Sequence, residues 1–148
     1  MSKVVHIGIC KNKGLPIIEV NSIEAVQGKG LIGDRKFKNN NDQKCQLTLI
    51  ELENINYYNK LNRSFIKPLD FRRNIVTSGV DLNNLLNKEF LVGKIKLKAH
   101  DLCRPCKYLE NSLNQNNLIK PLMLKAGIRC EILTSGKIFN NDIIKFYD

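Results

Sequence analysis

Short runs of β-branched and apolar residues recur along most of the chain and are separated by turn residues. Runs of this length and composition are typical of β-strands. The clearest cover residues 4–10, 45–50, 90–93, 95–99, 126–133 and 143–147. Helical stretches are short, and they do not alternate with the strands at the regular spacing of a parallel α/β fold. The pattern therefore predicts a mostly β fold with short helices (α+β), built on a mixed β-barrel.

Short helices are predicted between these strands. Residues 118–124 form one, and residues 82–86 form another, for which Asp81 is a natural N-cap. The longest covers residues 51–61 and places four apolar side chains on one face: Leu52, Ile55, Tyr58 and Leu61. These helices are expected to cover the sheet.

Length and charge limit the classes of function. At 148 residues, we expect a single domain over residues 1–148, large enough for its own core. The net charge of +10 suits a nucleic acid, an anionic membrane or a phosphorylated small ligand. The basic residues are scattered, and aromatic residues do not interleave with them as on a base-stacking surface. A local anion pocket therefore competes well with a nucleic-acid surface, and nucleic acid is the less favoured partner.

The five cysteines indicate the compartment. The count is odd, the first ten residues do not resemble a secretory signal, and no apolar run reaches 18 residues. We therefore expect a cytoplasmic protein with reduced thiols and no membrane partner.

The segment DLCRPCKYLE holds the residues most suited to chemistry. It places Cys103 and Cys106 three residues apart, between Arg104 and Lys107, where Pro105 suits the first turn of a helix. A thiol inside such a turn, with basic neighbours, favours the reactive thiolate. The alternatives are a buried structural thiol, half of a zinc site, or a dithiol/disulfide pair.

A glycine-rich segment, QGKGLIGDR, precedes the second strand region. Gly28, Gly30 and Gly33 have the spacing of a dinucleotide-binding loop, but no amphipathic helix follows them, so we reject that reading. The glycines instead permit tight turns. They leave Asp34 and Arg35 at the mouth of a strand, as ligand-binding residues or as a simple ion pair.

Two further positions carry basic side chains near strand ends. Arg72, Arg73 and Asn74 precede the strand that begins at Ile75, and arginine offers a planar fork for phosphate or another oxyanion. The alternative is a solvated basic strand end. In the strand over residues 126–133, alternation makes Cys130 a core thiol and leaves Arg129 facing either a pocket or solvent.

Taken together, five segments resemble the MOSC family, the domains similar to the C-terminal domain of molybdenum-cofactor sulfurase. They occur in family order over roughly residues 5–146. The segments are GLIGDR (residues 30–35), CQLTLIE (45–51), RRNIVTSGVDL (72–82), CRPCKYLE (103–110) and AGIRCEILTSGKI (126–138). This chain departs from the family pattern at Cys45-Gln46, where Arg-Gln is frequent, and at Ala126-Gly127, where a double glycine is common.

The resemblance implies a closed MOSC-type β-barrel, here in stand-alone form, that binds molybdenum cofactor (molybdopterin) or moves sulfur toward metal–sulfur sites. The family's proposed sulfur-carrying or metal-facing cysteine matches Cys106, and Cys103 would be a resolving thiol. The matching cofactor-binding positions are Asp34, Arg35, Arg73, Asn74, Gly127 and Arg129. Of these, the three arginines could hold the cofactor's phosphate.

The same resemblance implies partners. A cysteine desulfurase would supply sulfur, and pyridoxal phosphate would be needed only by that enzyme; a molybdoenzyme or a cofactor-biosynthesis protein would be the other partner. Two alternatives stay open. One is a molybdenum-dependent reductase of N-hydroxylated compounds that works with a separate electron donor. The other, of a different class, is a basic β-barrel that binds RNA and has structural cysteines.

Overall fold

The apolar runs form strands as predicted. The computed structural model describes residues 1–146, which form eleven strands, two α-helices and two 3-10 helices. The strands are β1 (Lys3–Ile9), β2 (Ile18–Val20), β3 (Ser22–Val26), β4 (Gly30–Leu31), β5 (Leu47–Glu51), β6 (Ile75–Ser78), β7 (Glu89–Val92), β8 (Ile95–Leu102), β9 (Ile128–Ile132), β10 (Gly136–Phe139) and β11 (Ile144–Phe146). The helices are α1 (Leu52–Asn62) and α2 (Lys107–Ser112), with 3-10 helices at Pro68–Phe71 and Leu82–Leu85. Tyr147, the predicted end of the last strand, lies outside the described residues.

Eight strands form one mixed, curled sheet in the order β11-β7-β8-β9-β5-β6-β1-β2, and β10-β3-β4 form a smaller sheet. The pair β5–β6 is parallel, and every other strand pair in the described part of the chain is antiparallel. The large sheet curls so that the segment of β11 lies beside the segment of β1. Ile144 N donates to Ser2 O at 2.9 Å, and Val4 N donates to Asp142 O at 2.9 Å. The prediction of a mostly β fold with a mixed, barrel-forming sheet is confirmed.

Buried and exposed residues alternate along the strands, and the buried ones form the core. In β9, Ile128, Cys130 and Ile132 are fully buried inside the curled sheet, as the alternation predicts. A second apolar cluster lies on the outer face of the sheet, where α1 and α2 cover Ile50 and Val76. The sheet is therefore buried on both faces along β5 and β6, the strands whose beginnings frame the site described below.

Helix α1 packs through fewer residues than predicted. Ile55 and Tyr58 are fully buried, and the Tyr58 hydroxyl donates to Gln115 Oε1 at 2.8 Å. Leu61, predicted on the same face, is 55% exposed. Steps of three residues each fall about 60° short of a full turn, so the predicted stripe rotates away from the core by Leu61.

The helix predicted over residues 118–124 is absent from the described structure, which has a series of turns there. Leu118 and Leu122 are buried, but Leu124 has a φ of 64°, a left-handed conformation that no helix continues. Leu118 N donates to Glu110 Oε2 at 3.2 Å, so a side chain on α2 takes part in holding this segment. Among the residues that the structure describes, neither α-helix has the length and apolar character that crossing a bilayer requires.

Candidate functional site

A pocket with a volume of about 210 Å³ lies at one end of the curled sheet. The end of β1 and the beginnings of β5 and β6 meet here, because β1 runs antiparallel to β6 and β5 runs parallel to it. Arg129 of β9 lies opposite Thr48 of β5. Eighteen described residues line it: Cys10, Ile17, Asp34, Arg35, Lys36, Lys44, Cys45, Leu47, Thr48, Arg72, Arg73, Asn74, Cys103, Arg104, Cys106, Tyr108, Leu109 and Arg129. The pocket thus gathers side chains from six separate stretches of the sequence.

The lining is strongly cationic and rich in thiols. Of the described residues in it, one is acidic, four are cysteines, and seven are basic: Arg35, Lys36, Lys44, Arg72, Arg73, Arg104 and Arg129. The lining includes seven of the site residues that were predicted from the sequence: Asp34, Arg35, Arg73, Asn74, Cys103, Cys106 and Arg129. A concave surface with this charge balance attracts anions and raises their local concentration.

Asp34 and Asn74 connect the walls of the pocket to one another. Asp34 Oδ1 accepts from Cys10 N at 2.9 Å, and Asn74 Nδ2 donates to Gly8 O at 3.2 Å and reaches Asp34 Oδ1 at 3.5 Å. Asn74 Oδ1 also accepts from Thr48 N at 3.1 Å, while Asn74 N donates to Thr48 Oγ1 at 3.0 Å. These bonds join the end of β1 to the beginnings of β5 and β6. The structure therefore gives Asp34 and Asn74 a positioning role.

The arginines differ in how firmly they are held. Arg73 Nε donates to Ala126 O at 2.9 Å, and Arg72 Nη2 donates to Leu15 O at 3.0 Å and to Cys10 Sγ at 3.3 Å. Arg129, half-buried in β9, lies beside the Cys103 thiol, and Arg35 is exposed at the rim. Guanidinium groups that are fixed by one edge keep their other N–H groups for an anion.

Cys106 is the exposed thiol of the pocket, and its backbone differs from the prediction. Helix α2 begins at Lys107, so Cys106 is its N-cap, with an extended backbone at φ −141° and ψ 166°, and Pro105 precedes the helix. The helix has six residues, and a dipole of that length is small. The positive charge around Cys106 therefore comes from the basic side chains that line the pocket.

Cys103 and Cys130 are buried and poor nucleophiles. Burial raises the pKa of the Cys103 thiol, although the guanidinium groups of Arg73 and Arg129 oppose the shift. Cys130 is fully buried in β9, and burial raises its pKa well above the ordinary thiol value, with Cys103 adding to the effect. Both groups therefore stay protonated at neutral pH.

Exposure and these pKa shifts predict an order of alkylation. With iodoacetamide at pH 7.5, Cys106 is expected to label first, and Cys130 only after unfolding, because its thiol is inaccessible and protonated. Site-by-site mass spectrometry against time measures the order, with denatured protein as the control in which all five cysteines react. Native labelling of Cys130 at the rate of Cys106 would contradict the assignment.

Gly127 contributes to the site without being among the described lining residues. Its φ of 99° and the closeness of the Leu49 carbonyl leave no room for a Cβ atom. Its carbonyl accepts from Cys103 N at 2.8 Å, which anchors the segment after β8. Gly127 therefore lets the backbone of β9 approach β5 closely while it holds Cys103 in place.

Several lining residues were not assigned to the site from the sequence. Cys10, Cys45 and Thr48 look like ordinary strand residues, while Lys44 ends an Asn- and Lys-rich stretch that is typical of a solvated loop. Arg72 was recognisable as a candidate site residue, because it belongs to the Arg-Arg-Asn run before β6. Within residues 1–146, no group of three or more His, Cys, Asp or Glu side chains is arranged to hold a metal ion.

Comparisons with known proteins agree with this architecture. The YuaD protein from Bacillus subtilis is 17% identical, with a TM-score of 0.85 over 100% of this chain and 98% of its own. YiiM from Geobacillus stearothermophilus is 16% identical, with a TM-score of 0.81 over 100% of this chain and 76% of its own. YiiM from Escherichia coli is 17% identical, with a TM-score of 0.73 over 100% and 70%. At these identities the likeness establishes the fold.

The family assignment comes from a different comparison. No curated protein sequence matches the chain. The family model described as the MOSC domain matches residues 33–145, which include five of the six stretches that line the pocket. The chain therefore belongs to the MOSC domain family.

Proposed function

We propose that the pocket binds molybdenum cofactor through its phosphate, and that Cys106 is the thiol that faces the metal or carries a sulfur atom. The MOSC family is associated with binding of this cofactor. The observation that carries the proposal is the lining itself, in which seven basic side chains and four thiols surround one carboxylate among the described residues.

The donor set fits the chemistry of this cofactor. A phosphate is best held by guanidinium groups, and Arg129, Arg73 and Arg35 lie on different walls of the pocket. A soft metal favours a thiolate, and Cys106 is the exposed thiol there. The pocket volume of about 210 Å³ is smaller than the roughly 300–1,000 Å³ of sites that enclose a drug-sized ligand. We therefore expect the pocket to enclose part of the ligand and leave the rest open to a partner.

Each element of the chain has a distinct task in this proposal. The cofactor, when bound, supplies a redox-active metal held by its own sulfur atoms. Asp34 and Asn74 keep the ends of β1, β5 and β6 together, and Arg73 is oriented by its bond to Ala126 O. Cys106 stays accessible to a partner, which would be a cysteine desulfurase carrying its own pyridoxal phosphate, a molybdoenzyme or a cofactor-biosynthesis protein.

The distribution of charge favours a small anion over RNA. The cations converge on a concave pocket, and Tyr108 is the aromatic residue among the described lining side chains. Single-stranded nucleic acids need a positive groove with several stacking platforms. One aromatic side chain beside a 210 Å³ pocket suits a phosphate or a single ring better than a strand of bases.

Arg129→Gln is expected to lower cofactor occupancy at least about tenfold, because a charge-assisted bond to phosphate contributes about 1.5–3 kcal/mol. Arg129 is the better target because Arg73 also holds Ala126 O and would disturb the fold if removed. The protein is purified from a host that makes molybdenum cofactor, and molybdenum and oxidised pterin are quantified per chain. Lys96→Gln, on the exposed face of β8, is the control and should retain full occupancy. Equal losses in both variants would mean that diffuse charge, not the pocket, binds the ligand.

A further inference from the structure

Four thiols line the pocket, but only two of them are accessible. Cys106 is exposed and Cys45 is half-buried, whereas Cys10 and Cys103 are each 4% exposed. Cys10 is also occupied, since its Sγ donates to Asn12 O at 2.9 Å. The sequence points to Cys103 as the partner of Cys106 because the two are close along the chain. Because Cys103 is buried, it is a poor partner for Cys106, whose thiol is exposed at the surface of the pocket.

The segments that carry Cys45 and Cys106 are held to the same carboxylate. Asp101 Oδ2 lies 3.5 Å from Lys44 Nζ and 3.2 Å from Arg104 Nη1. The hydrogen bond from Arg104 is the main cause that lowers the pKa of Asp101, so this group is ionised at neutral pH. Lys44 directly precedes Cys45, and Arg104 is two residues before Cys106. Both cysteines line the same pocket, and neither lies within a strand or a helix.

We infer that Cys45 is the second reactive thiol of this pocket and discharges a persulfide carried by Cys106. The inference rests on the sulfur-carrier form of the proposed function. Both thiols line the same cationic pocket, and a neighbouring thiolate is the nucleophile that such a persulfide requires.

The step balances within the pocket. The Cys45 thiolate attacks the sulfur atom bonded to the Cys106 side chain, and the bond between the two persulfide sulfurs breaks. A hydrosulfide ion leaves with the electron pair, and a Cys45–Cys106 disulfide forms. An external thiol reductant, such as glutathione, then reduces this disulfide to two thiols and is itself oxidised. The released anion is formed among the cations that line the pocket, which can hold it for an acceptor.

The test begins by loading the protein with a cysteine desulfurase, cysteine and pyridoxal phosphate, which should add about 32 Da at Cys106. After the desulfurase is removed, sulfide release and persulfide loss are followed by intact-mass and peptide analysis. Cys45→Ala is expected to slow the loss at least about tenfold and to abolish the cross-linked peptide. Cys103→Ala is the matched control and should discharge like the native protein. Thermal melts of both variants confirm that each is folded.

A second arm tests the thiol pair without any sulfur donor. Oxidised glutathione is expected to produce a Cys45–Cys106 disulfide, about 2 Da lighter than the reduced protein. If no persulfide forms but this disulfide does, the carrier function fails while the pairing of the two thiols stands. If Cys106 loads, and Cys103→Ala rather than Cys45→Ala slows discharge, the inference is overturned while the carrier function survives. Formation of neither product overturns both.

Discussion

Gly127→Ala is expected to destabilise the protein by more than about 4 kcal/mol at 25 °C. The residue has a φ of 99°, and a Cβ atom there would overlap the carbonyl oxygen of Leu49 and lie 3.2 Å from the Cα atom of Ile50. Both contacts are to the backbone of β5, which is held between β6 and β9 and cannot move aside. The left-handed backbone costs about 1–2 kcal/mol. With the overlap, the total should exceed about 4 kcal/mol, a large part of a typical stability of about 5–15 kcal/mol.

Gly28→Ala is the control that separates the cost of the left-handed backbone from the cost of the overlap with β5. Gly28 also has a positive φ, of 73°, but no atom lies within 4 Å of the position its Cβ would occupy. This variant should therefore lose only about 1–2 kcal/mol. Urea unfolding at 25 °C gives both values from the free energy of unfolding. Equal losses would show that backbone conformation, and not the approach of β9 to β5, makes glycine necessary at position 127.

The same contact shows what could be predicted of this glycine from the sequence. The resemblance marks Gly127 as a position of interest, and its Gly-x-Arg spacing to Arg129 suggests a ligand contact. The structure shows in addition a close approach of two strands, which depends on the pairing of β5 with β9. Partners 78 residues apart along the chain cannot be identified from local propensity.

The strands were predicted well because burial on one face imposes a period of two. In β8, Ile95 and Leu97 are buried while Lys96 is exposed, and β9 shows the same alternation. The helical predictions were less accurate where tertiary contacts decide. Helix α2 begins at Lys107, after the predicted turn at Pro105, and Leu118 donates to a side chain of α2 instead of starting a helix. Local preference is weak enough to be overridden by such bonds.

The residues of the candidate site also differ in how well the sequence predicted them. Its arginines and Cys106 were recognisable because their segments resemble those of a family. Lys44 was not, since nothing in its solvated loop indicates that Asp101 will hold that loop beside the Cys106 segment, and Cys45 stood out only as a departure from the family pattern. Asn74 was expected to bind a ligand. Its side chain also holds three backbone segments together, and a strong prediction follows from this role.

Asn74→Asp is expected to destabilise the protein by about 3–5 kcal/mol at pH 7, although the two side chains have nearly the same shape. The amide of Asn74 donates to Gly8 O and reaches Asp34 Oδ1 at 3.5 Å. A carboxylate at position 74 would remove both donors and place a second negative charge beside Asp34. Asn39→Asp is the control, because Asn39 is exposed; its effect should be within about 0.5 kcal/mol.

The loss should also depend on pH, with a sign that a simple packing defect would not produce. The charge of Asp34 and partial burial raise the pKa of the new carboxyl in the folded protein above the ordinary value of about 3.9. The folded variant therefore binds a proton more readily than the unfolded chain, so its deficit relative to the native protein shrinks as the pH falls through that raised pKa. A protonated carboxyl can also donate again to Gly8 O or to Asp34. Urea unfolding of both proteins from pH 7.5 to pH 4.5 measures the difference, and a deficit that stays constant across this range would contradict the proposed network.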